Sequence, residues 1–592
     1  MKDKIENNRT LKKALLTMLP VYLACAFVEI FIFTIDTLLA GFTLGSYGIA
    51  AVAIGLPAGG LGIAAIGVII KGATLQMTWK LGRADNEAFN REFSCCMTFV
   101  LTVGFIILAI LLFFSDGVAA ICGGAKADET VLYLASRYIK WSAPEVPLLC
   151  VALLLNYSVG LLGYQKPKII SNVANIVTNI IVSTVLIFIL PESQKVIALG
   201  IGKSAAALVQ MTILLIFIKK DKVNIKFRPT LYKIKEFAAN IRCGMPATCD
   251  FMFEYVCLAV INNIVLTFYP EDTVLLSVVS VVLTIFNIGK CGSSGTADTA
   301  RYLFGVLFSS RDKDGLVFTL KNSIKYGTVV SLCWAAVTIL FSPLLARLFG
   351  MSGEPMVQHG LLIALLFIPV INITVIMTCF YESTERFILS LLYAVIPDSV
   401  VFPCLIWLLI PVMGTDGIWV AMGGAFIVGL ILIYLGFAVK ARKIPVPTDK
   451  LLCLKKQITN RSPQLDVTID NTNSDVCGIS EKIYDYLNEH NVSRRTTYIS
   501  ALATEEIASD VVANYKNISK RAVDHMDVKI FVDEETIDIV IRIFGDAYNP
   551  LNYSDKLDEF GMCGVKLAAQ AADKVSYSYV YKLNIITITL KK

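Results

Sequence analysis

Charge is what this chain has least of. Only 17% of its 592 residues are Asp, Glu, Lys or Arg, against about 25% in ordinary soluble domains. Histidine occurs three times, at His359, His490 and His525, far apart in sequence. The fifteen cysteines include no CxxC pair and no spaced Cys/His set, and the adjacent Cys95 and Cys96 lie inside an apolar run. Metal binding is therefore not expected, and reduced, buried thiols are. No GxxxxGK[ST] segment is present, which excludes an ABC-type motor. The net charge of +6 is too small to suggest nucleic acid, and a basic face on lipid headgroups accounts for it.

What the chain has in abundance is apolar length: 56% hydrophobic residues and a mean hydropathy of +0.66. Segments long enough to span recur near 14–40, 48–71, 94–114, 138–162, 169–190 and 196–218. A second set follows near 243–268, 274–297, 324–346, 360–381, 387–411 and 416–438. At about 20 residues per span, twelve helices are expected. A basic tail (Lys2, Lys4, Arg9, Lys12, Lys13) precedes the first run, which is too long for a signal-peptide core and reads as a retained span. With that tail inside, the inner loops collect Lys80, Arg83, Arg91, Lys166, Lys168, Lys219, Lys220, Arg311, Lys313 and Arg386. The positive-inside rule then places both termini in the cytoplasm. The two sets look like a repeat: Pro20 is mirrored by Pro246 and Asp85 by Asp312. An even number of helices per half leaves the halves parallel, as in transporters that bind substrate between two rocking lobes.

Against this apolar background the intramembrane polar residues stand out. Glu29 and Asp36 are seven residues apart in PVYLACAFVEIFIFTIDTLLAG, close to two turns and so on one helix face. A carboxylate at mid-bilayer depth costs about 2.5–3.5 kcal/mol even on lenient scales, so that face should line a cavity. Asp250 and Glu254, four apart just after Pro246, share a face in the same way. Two carboxylates one turn apart in an apolar wall do not both ionise cheaply, which suits proton exchange. Asn175, Asn179 and Ser183 repeat every fourth residue, a stripe that either glues helices together or lines the same cavity as Asp36. Asp398, beside Pro397, is a weaker candidate of this kind. Lys71 and Arg301, at inner helix ends, read as snorkelling side chains.

The stretch 13–440 resembles the MATE family of multidrug and toxin extrusion antiporters. The residues that carry the resemblance are Pro20 followed by IDTLLAG, the GRAD loop, GYQKP opening the fifth helix, and GMPATCDFMFE in the seventh. The resemblance implies two six-helix lobes and export of organic cations, with protons or sodium ions as the coupling ion. It places Asp36 on the family's helix-one aspartate, Asn179 on an asparagine of the same lobe, and Glu254 on the helix-seven glutamate of one branch. That branch's tenth-helix acidic residue has no counterpart in LLIALLFIPVINITVIMTCF.

After Lys440 the composition shifts to a basic, proline-containing linker, KARKIPVPTDKLLCLKKQ, expected to lie against the inner leaflet. From about Leu465 the chain reads as a compact α/β domain: LDVTID as a strand, two helices, a strand pair in VKIFVDEETIDIVIRIFG, a helix in GVKLAAQAADKV, and a final strand pair. This region resembles the ATP-binding domain of histidine kinases and anti-sigma-factor serine kinases. LATEEIASDVVANY places Glu506 on their catalytic glutamate and Asp510 on the magnesium-binding asparagine; Gly545, Tyr548 and Pro550 match the adenine turn, and Gly561 and Gly564 the second glycine box. Asn584 fits the end of the pattern. ATP with magnesium is thus a possible ligand by resemblance, but the aspartate that reads adenine falls on Ile543, and a polar edge against hydrocarbon is costly. A retained fold acting as a regulatory or interaction module is preferred to a nucleotide sensor or a kinase. No histidine lies between His359 and His490 to serve as a histidine-kinase phosphoacceptor.

The expected architecture is an all-α polytopic membrane protein of twelve transmembrane helices in two six-helix lobes, plus a cytoplasmic α/β sandwich domain. Its parts are a tail over 1–13, lobes over 14–225 and 226–440, a linker over 441–463, and the α/β domain over 464–592. The expected function is secondary antiport of a small, cationic substrate across the cell membrane, with membrane lipid and a cytoplasmic protein as further partners. The alternatives are a lipid-linked substrate flippase and a membrane sensor signalling through its tail.

Overall fold

The computed structural model describes residues 8–82, 86–161, 165–191, 194–220, 225–270, 272–351, 354–454, 464–470, 473–518, 525–533, 535–546, 548–550, 570–580 and 582–592. The chain opens with α1 (Arg9–Gly82), an apolar helix kinked at Gly45, whose φ of 62° is left-handed and suits a residue without Cβ. There follow α2 (Asn86–Phe113), the short α3 (Ser115–Ile121), α4 (Glu129–Ser142), α5 (Glu145–Leu161), α6 (Gln165–Ile189) and α7 (Lys195–Lys220). The second half holds α8 (Ile234–Phe268), α9 (Thr273–Ser309), α10 (Lys313–Leu348), α11 (Pro355–Leu365), α12 (Ile368–Ser383) and α13 (Phe387–Val395). A π-helical turn, Ile396–Val401, then leads to α14 (Phe402–Met413) and α15 (Asp416–Ala441).

Among the described residues eight helical stretches are long and apolar enough to cross a membrane, one of them running from α13 through the π-helical turn into α14, and ten spans result if α4 with α5 and α11 with α12 each count as one bent span. The twelve expected from hydropathy are thus not reached on length and composition. Gly45 breaks α1 into two helical arms, and α8 is 35 residues long.

The halves pack through glycines that let backbones approach. A Cβ on Gly244 of α8 would stand 1.8 Å from the Val68 carbonyl oxygen of α1, and one on Gly72 would stand 2.1 Å from that of Asn240. Gly295 of α9 meets Leu23 of α1 in the same way. Small residues at such crossings replace the hydrophobic drive that lipid does not supply. The extended segment after α7 lies along α2, where Lys226, Arg228 and Thr230 donate their backbone N–H groups to Asn90, Ser94 and Thr98.

The linker does not lie free. Tyr381 donates to the Leu451 carbonyl at 2.5 Å, Arg386 Nε to that of Cys453 at 2.6 Å, and Val446 N–H to Tyr434 Oη at 3.2 Å. It is thus pinned across the ends of α12, α13 and α15 and carries a short helix, α16 (Thr448–Leu452). Polar groups in its described part, 441–454, thus find protein partners.

The tail is a five-stranded antiparallel sheet in the order β1-β2-β3-β5-β4. Its strands are β1 (Gln464–Asp470), β2 (His525–Val532), β3 (Thr536–Phe544), β4 (Lys574–Val580) and β5 (Leu583–Lys591), with helices α17 (Asn473–Glu489) and α18 (Arg494–Ile518). The strands and these two helices fall where alternation and helical periodicity place them. The first half of the expected helix GVKLAAQAADKV, 564–569, lies outside the described residues, and its end is not helical: Lys574 and Val575 begin β4. Alternate strand residues (Met526, Val528, Ile530; Ile537, Ile539, Ile541, Ile543) form one core with α17 and α18. The opposite set, Phe531, Val540, Leu583 and Ile585, joins a second core with Leu11, Leu15, Leu303, Phe304 and Leu307 of the helical region. The sheet is therefore covered on both faces.

Candidate functional site

Asp36 is the centre of a buried polar cluster in the first half. It is 1% exposed, and three groups on three helices converge on its carboxylate. Tyr138 Oη of α4 donates to Oδ2 at 2.7 Å, Asn179 Nδ2 of α6 donates to Oδ1 at 3.2 Å, and Lys203 Nζ of α7 lies 3.4 Å from Oδ2. The same ammonium stands 3.5 Å from Glu145 Oε2 at the start of α5, so one cation is shared by two carboxylates. Ser183 Oγ donates to Asn179 Oδ1 at 3.0 Å, fixing the amide with its NH2 toward Asp36. Gly202 makes the approach of α7 feasible, because a Cβ there would meet Ser183 Oγ at 1.9 Å. With each acid ionised and the lysine charged, the cluster sums to one negative charge. Buried charges of this kind need partners, and here each described one has them.

The cluster faces the second half. Tyr255 of α8 packs over Gly60 of α1 and is close enough to Lys203 and Glu145 to interact electrostatically. Any relative motion of the halves therefore changes what surrounds Lys203.

One turn away on α6 the rest of the asparagine stripe forms a second network. Asn175 Nδ2 donates to Gln210 Oε1 at 2.9 Å, while Gln210 Nε2 and Asn156 Nδ2 both donate to Asn172 Oδ1, at 2.8 and 2.7 Å. The stripe thus has two roles: Asn179 and Ser183 belong to the charged cluster, and Asn172 and Asn175 hold α6 to α7 and α5.

The other sequence candidates are not gathered here. Glu254 is exposed, on α8 beside Tyr255. Asp398 sits half-buried on the π-helical turn, where its backbone carbonyl accepts from Cys257 Sγ at 3.1 Å. The side chains of Glu29 and Asp250 lie outside the described ones. Arg301 is not merely snorkelling: it stands 2.5 Å from Glu382 and 3.3 Å from Asp298. Lys71 lies over the Tyr157 ring at 4.6 Å. Among the described residues no group of three or more His, Cys, Asp or Glu is placed to hold a metal ion.

Tyr138, Glu145 and Lys203 were not singled out by the sequence reading. The available signal was Lys203 in KVIALGIGKSAAALVQ, a lysine well inside an apolar helix, which by depth alone marks a functional position. A groove of about 460 Å³ also opens between the halves, lined by Leu61, Ile121, Lys126, Asn263, Thr267 and Trp407 among others, none of them a cluster residue.

In the tail, the residues matched to a nucleotide site are occupied by one another. Tyr548 is 1% exposed; its hydroxyl donates to Asp510, and Asn514 Nδ2 donates to the same carboxylate at 2.7 Å. Tyr515 Oη accepts from Asp546 N–H at 2.6 Å and fills the space above Gly545, where a Cβ would meet it at 1.8 Å. Asn584 ties this turn together, accepting from Tyr548 N–H and donating to the Asp546 carbonyl. Ile543 is fully buried in the helix-side core, and Glu506 is half-buried on α18. Gly561 and Gly564 lie outside the described residues.

Long apolar helices in two halves, with a buried carboxylate–lysine cluster inside the first, define a multi-pass membrane protein of the transporter class. The family model described as MatE matches residues 22–185 and 246–404, more than half of the chain, and the chain belongs to that family. The chain is 25% identical over 207 residues to the multidrug export protein MepA of Staphylococcus aureus (strain NCTC 8325 / PS 47), a match that covers 35% of this chain and 45% of that relative. The matched stretch thus spans about half the length of this curated relative. Among solved structures, an inward-facing multidrug resistance MATE family transporter of the MOP superfamily superposes with a TM-score of 0.60 at 17% identity, over 72% of this chain and 97% of that one. The MATE multidrug transporter DinF-BH gives 0.60 at 18% identity, over 75% and 97%. A MOP superfamily transporter from Pyrococcus furiosus, whose title speaks of a binding pocket of reverse polarity, gives 0.57 at 18% identity, over 72% and 95%.

Proposed function

We propose that this protein is a secondary antiporter that exports small organic cations in exchange for protons or sodium ions. The observation that carries this reading is the Asp36–Glu145–Lys203 cluster: two carboxylates and one internal cation, buried within the first half. A substrate cation entering from the inner side replaces or shares the place of Lys203 against Asp36 and Glu145. A proton or sodium ion arriving from outside neutralises Asp36 and releases it. Tyr138 and Asn179 hold the Asp36 carboxylate in place through the exchange. Counting the two arms of α1 separately and α8 as a span raises ten to twelve helices, six per lobe. That count puts both termini on one side, which the loop lysines and arginines make the cytoplasm.

On this reading the tail is a retained ATPase-like fold used as a regulatory or interaction module. The mutual engagement of Tyr548 with Asp510 and of Tyr515 with the Gly545 turn supports this, because these side chains occupy their own would-be site.

The test is dye export from proteoliposomes under an imposed pH or sodium gradient, with Asp36→Asn beside the wild type. The amide keeps the shape and the Tyr138 partner but carries no titratable charge. Gradient-driven export should fall more than tenfold with the folded yield unchanged. Equal rates in variant and wild type would falsify the assignment of Asp36.

A further inference from the structure

The face of the tail sheet turned toward the helices is not an ordinary core. Among its apolar residues it carries Lys529, Arg542 and Asp527, each 0% exposed. Asp312, also fully buried, enters this face from the corner between α9 and α10. Its carboxylate stands 3.0 Å from Lys529 Nζ and 2.6 Å from Arg542 Nη1, while Arg542 Nη2 donates to Ser310 Oγ at 3.0 Å. Lys529 also reaches Asp466 of β1 at 3.0 Å. Asp312 has a second duty as the N-cap of α10, accepting from Gly315 N–H at 2.8 Å, so the contact is joined to the start of a lobe-two helix.

The same face touches the other lobe. Leu11 and Leu15, at the beginning of α1, are buried in one core with Leu303, Phe304 and Leu307 of α9 and with Phe531 and Val540 of the sheet. Lys13 Nζ lies 5.9 Å over the Phe544 ring. The sheet therefore bridges an end of lobe one and an end of lobe two on the side where the chain begins and where the loop lysines gather.

Two physical features argue that this contact is made to be released. Buried ion pairs add little net stability over apolar packing, because each charge pays to leave water. Undocked, the same charges are well hydrated, so the exposed face remains soluble where a purely apolar one would aggregate. Removing any one partner leaves an uncompensated buried charge, which makes the contact sensitive to a single change.

We propose that the C-terminal domain is a releasable staple: through the Asp312–Lys529–Arg542 latch it fastens the start of α1 to the 310–316 corner of lobe two and holds that edge of the lobe interface shut. This rests on the antiporter reading and names its regulation. Whatever loosens the latch frees the lobes to part on the inner side.

The test uses the full-length chain with Cys25, Cys249, Cys333, Cys404, Cys477 and Cys563 replaced by serine, Cys333 and Cys404 being the exposed cysteines among the described residues, and spin labels at Lys166→Cys and Lys321→Cys, exposed positions on the two lobes. Inter-lobe distances are read by pulsed dipolar spectroscopy, and tail docking by hydrogen exchange of residues 8–15 and 310–316. Wild type should show one short distance and slow exchange. Asp312→Asn should speed exchange in both segments about tenfold and raise the long-distance population about tenfold, with the α17–α18 core still protected. Arg542→Met leaves the helix cap intact and should do the same. An undocked tail with unchanged inter-lobe distances would overturn the staple, as would a change seen with Asp312→Asn alone, which would be a cap effect. No substrate or gradient enters this measurement. A failure of cation export leaves the staple standing, and unchanged distances in an exporting protein sink the staple alone.

Discussion

Lys203→Met is the sharpest probe of the Asp36 cluster. Methionine keeps most of the side-chain length and removes the charge, leaving Asp36 and Glu145 facing each other without their shared cation. At 3.4 Å and an effective dielectric of about 20, one such attraction is about 5 kcal/mol gross, and two are lost. Desolvation of the lysine, now avoided, returns much of this. The two acids do not both stay charged in that setting, and one takes a proton from solvent in place of the ammonium. A cation then binds without displacing a tethered rival and expels that proton. If a third to a half of one pair's gross attraction is recovered, affinity for a cationic dye rises about 10–100-fold. The assay is fluorescence polarisation of the dye with purified protein, with proton release followed by a pH indicator in weak buffer. Wild type should bind more weakly and release less than half as much proton per dye. Unchanged or weaker binding in Lys203→Met, with a folded protein, would refute the view that Lys203 competes with substrate.

Two further predictions follow from packing and charge. Gly244→Ala puts a methyl carbon 1.8 Å from the Val68 carbonyl oxygen, so α1 and α8 must move apart; a loss of about 1–3 kcal/mol is expected, read as earlier thermal unfolding. In the tail, burial pushes Asp466 up to about 6, with Lys529 opposing and Asp312 and Asp527 reinforcing. Its folded value is above its unfolded one, so the native state binds the extra proton and stability falls as pH rises from about 4 to 6, by on the order of 2 kcal/mol. Burial alone would also raise Asp312, but Lys529 and Arg542 hold it below the usual carboxylate range. Its stabilising term is lost only as pH falls below about 4. Asp466→Asn should flatten the pH 4–6 slope of tail denaturation, and an unaltered slope would mean that another group carries it.

Much of the membrane architecture was legible because hydropathy is a local property. Apolar runs need no knowledge of what packs where. Asp36, Asn179 and Ser183 were legible for a related reason: polar residues deep in apolar helices are costly enough to mark themselves. Glu254 and Asp398 carried the same mark, yet they lie outside this cluster, since depth in a helix does not say which neighbour a side chain meets.

The partners belong to tertiary structure alone. Lys203 reaches Asp36 across 167 positions and Arg542 reaches Asp312 across 230, separations over which no periodicity carries information. In VKIFV and IVIRIF one set of alternate residues is wholly apolar, and the other carries Lys529 and Arg542 beside Phe531 and Val540. The fold covers the second face with the ends of α1 and α9, so charges suited to water became a buried latch. The chain by itself marked which segments are apolar enough to meet lipid, because that depends on each segment's own composition. Which charge neutralises which was decided only when distant segments shared a dry space, because there each ion needs a partner within a few ångströms.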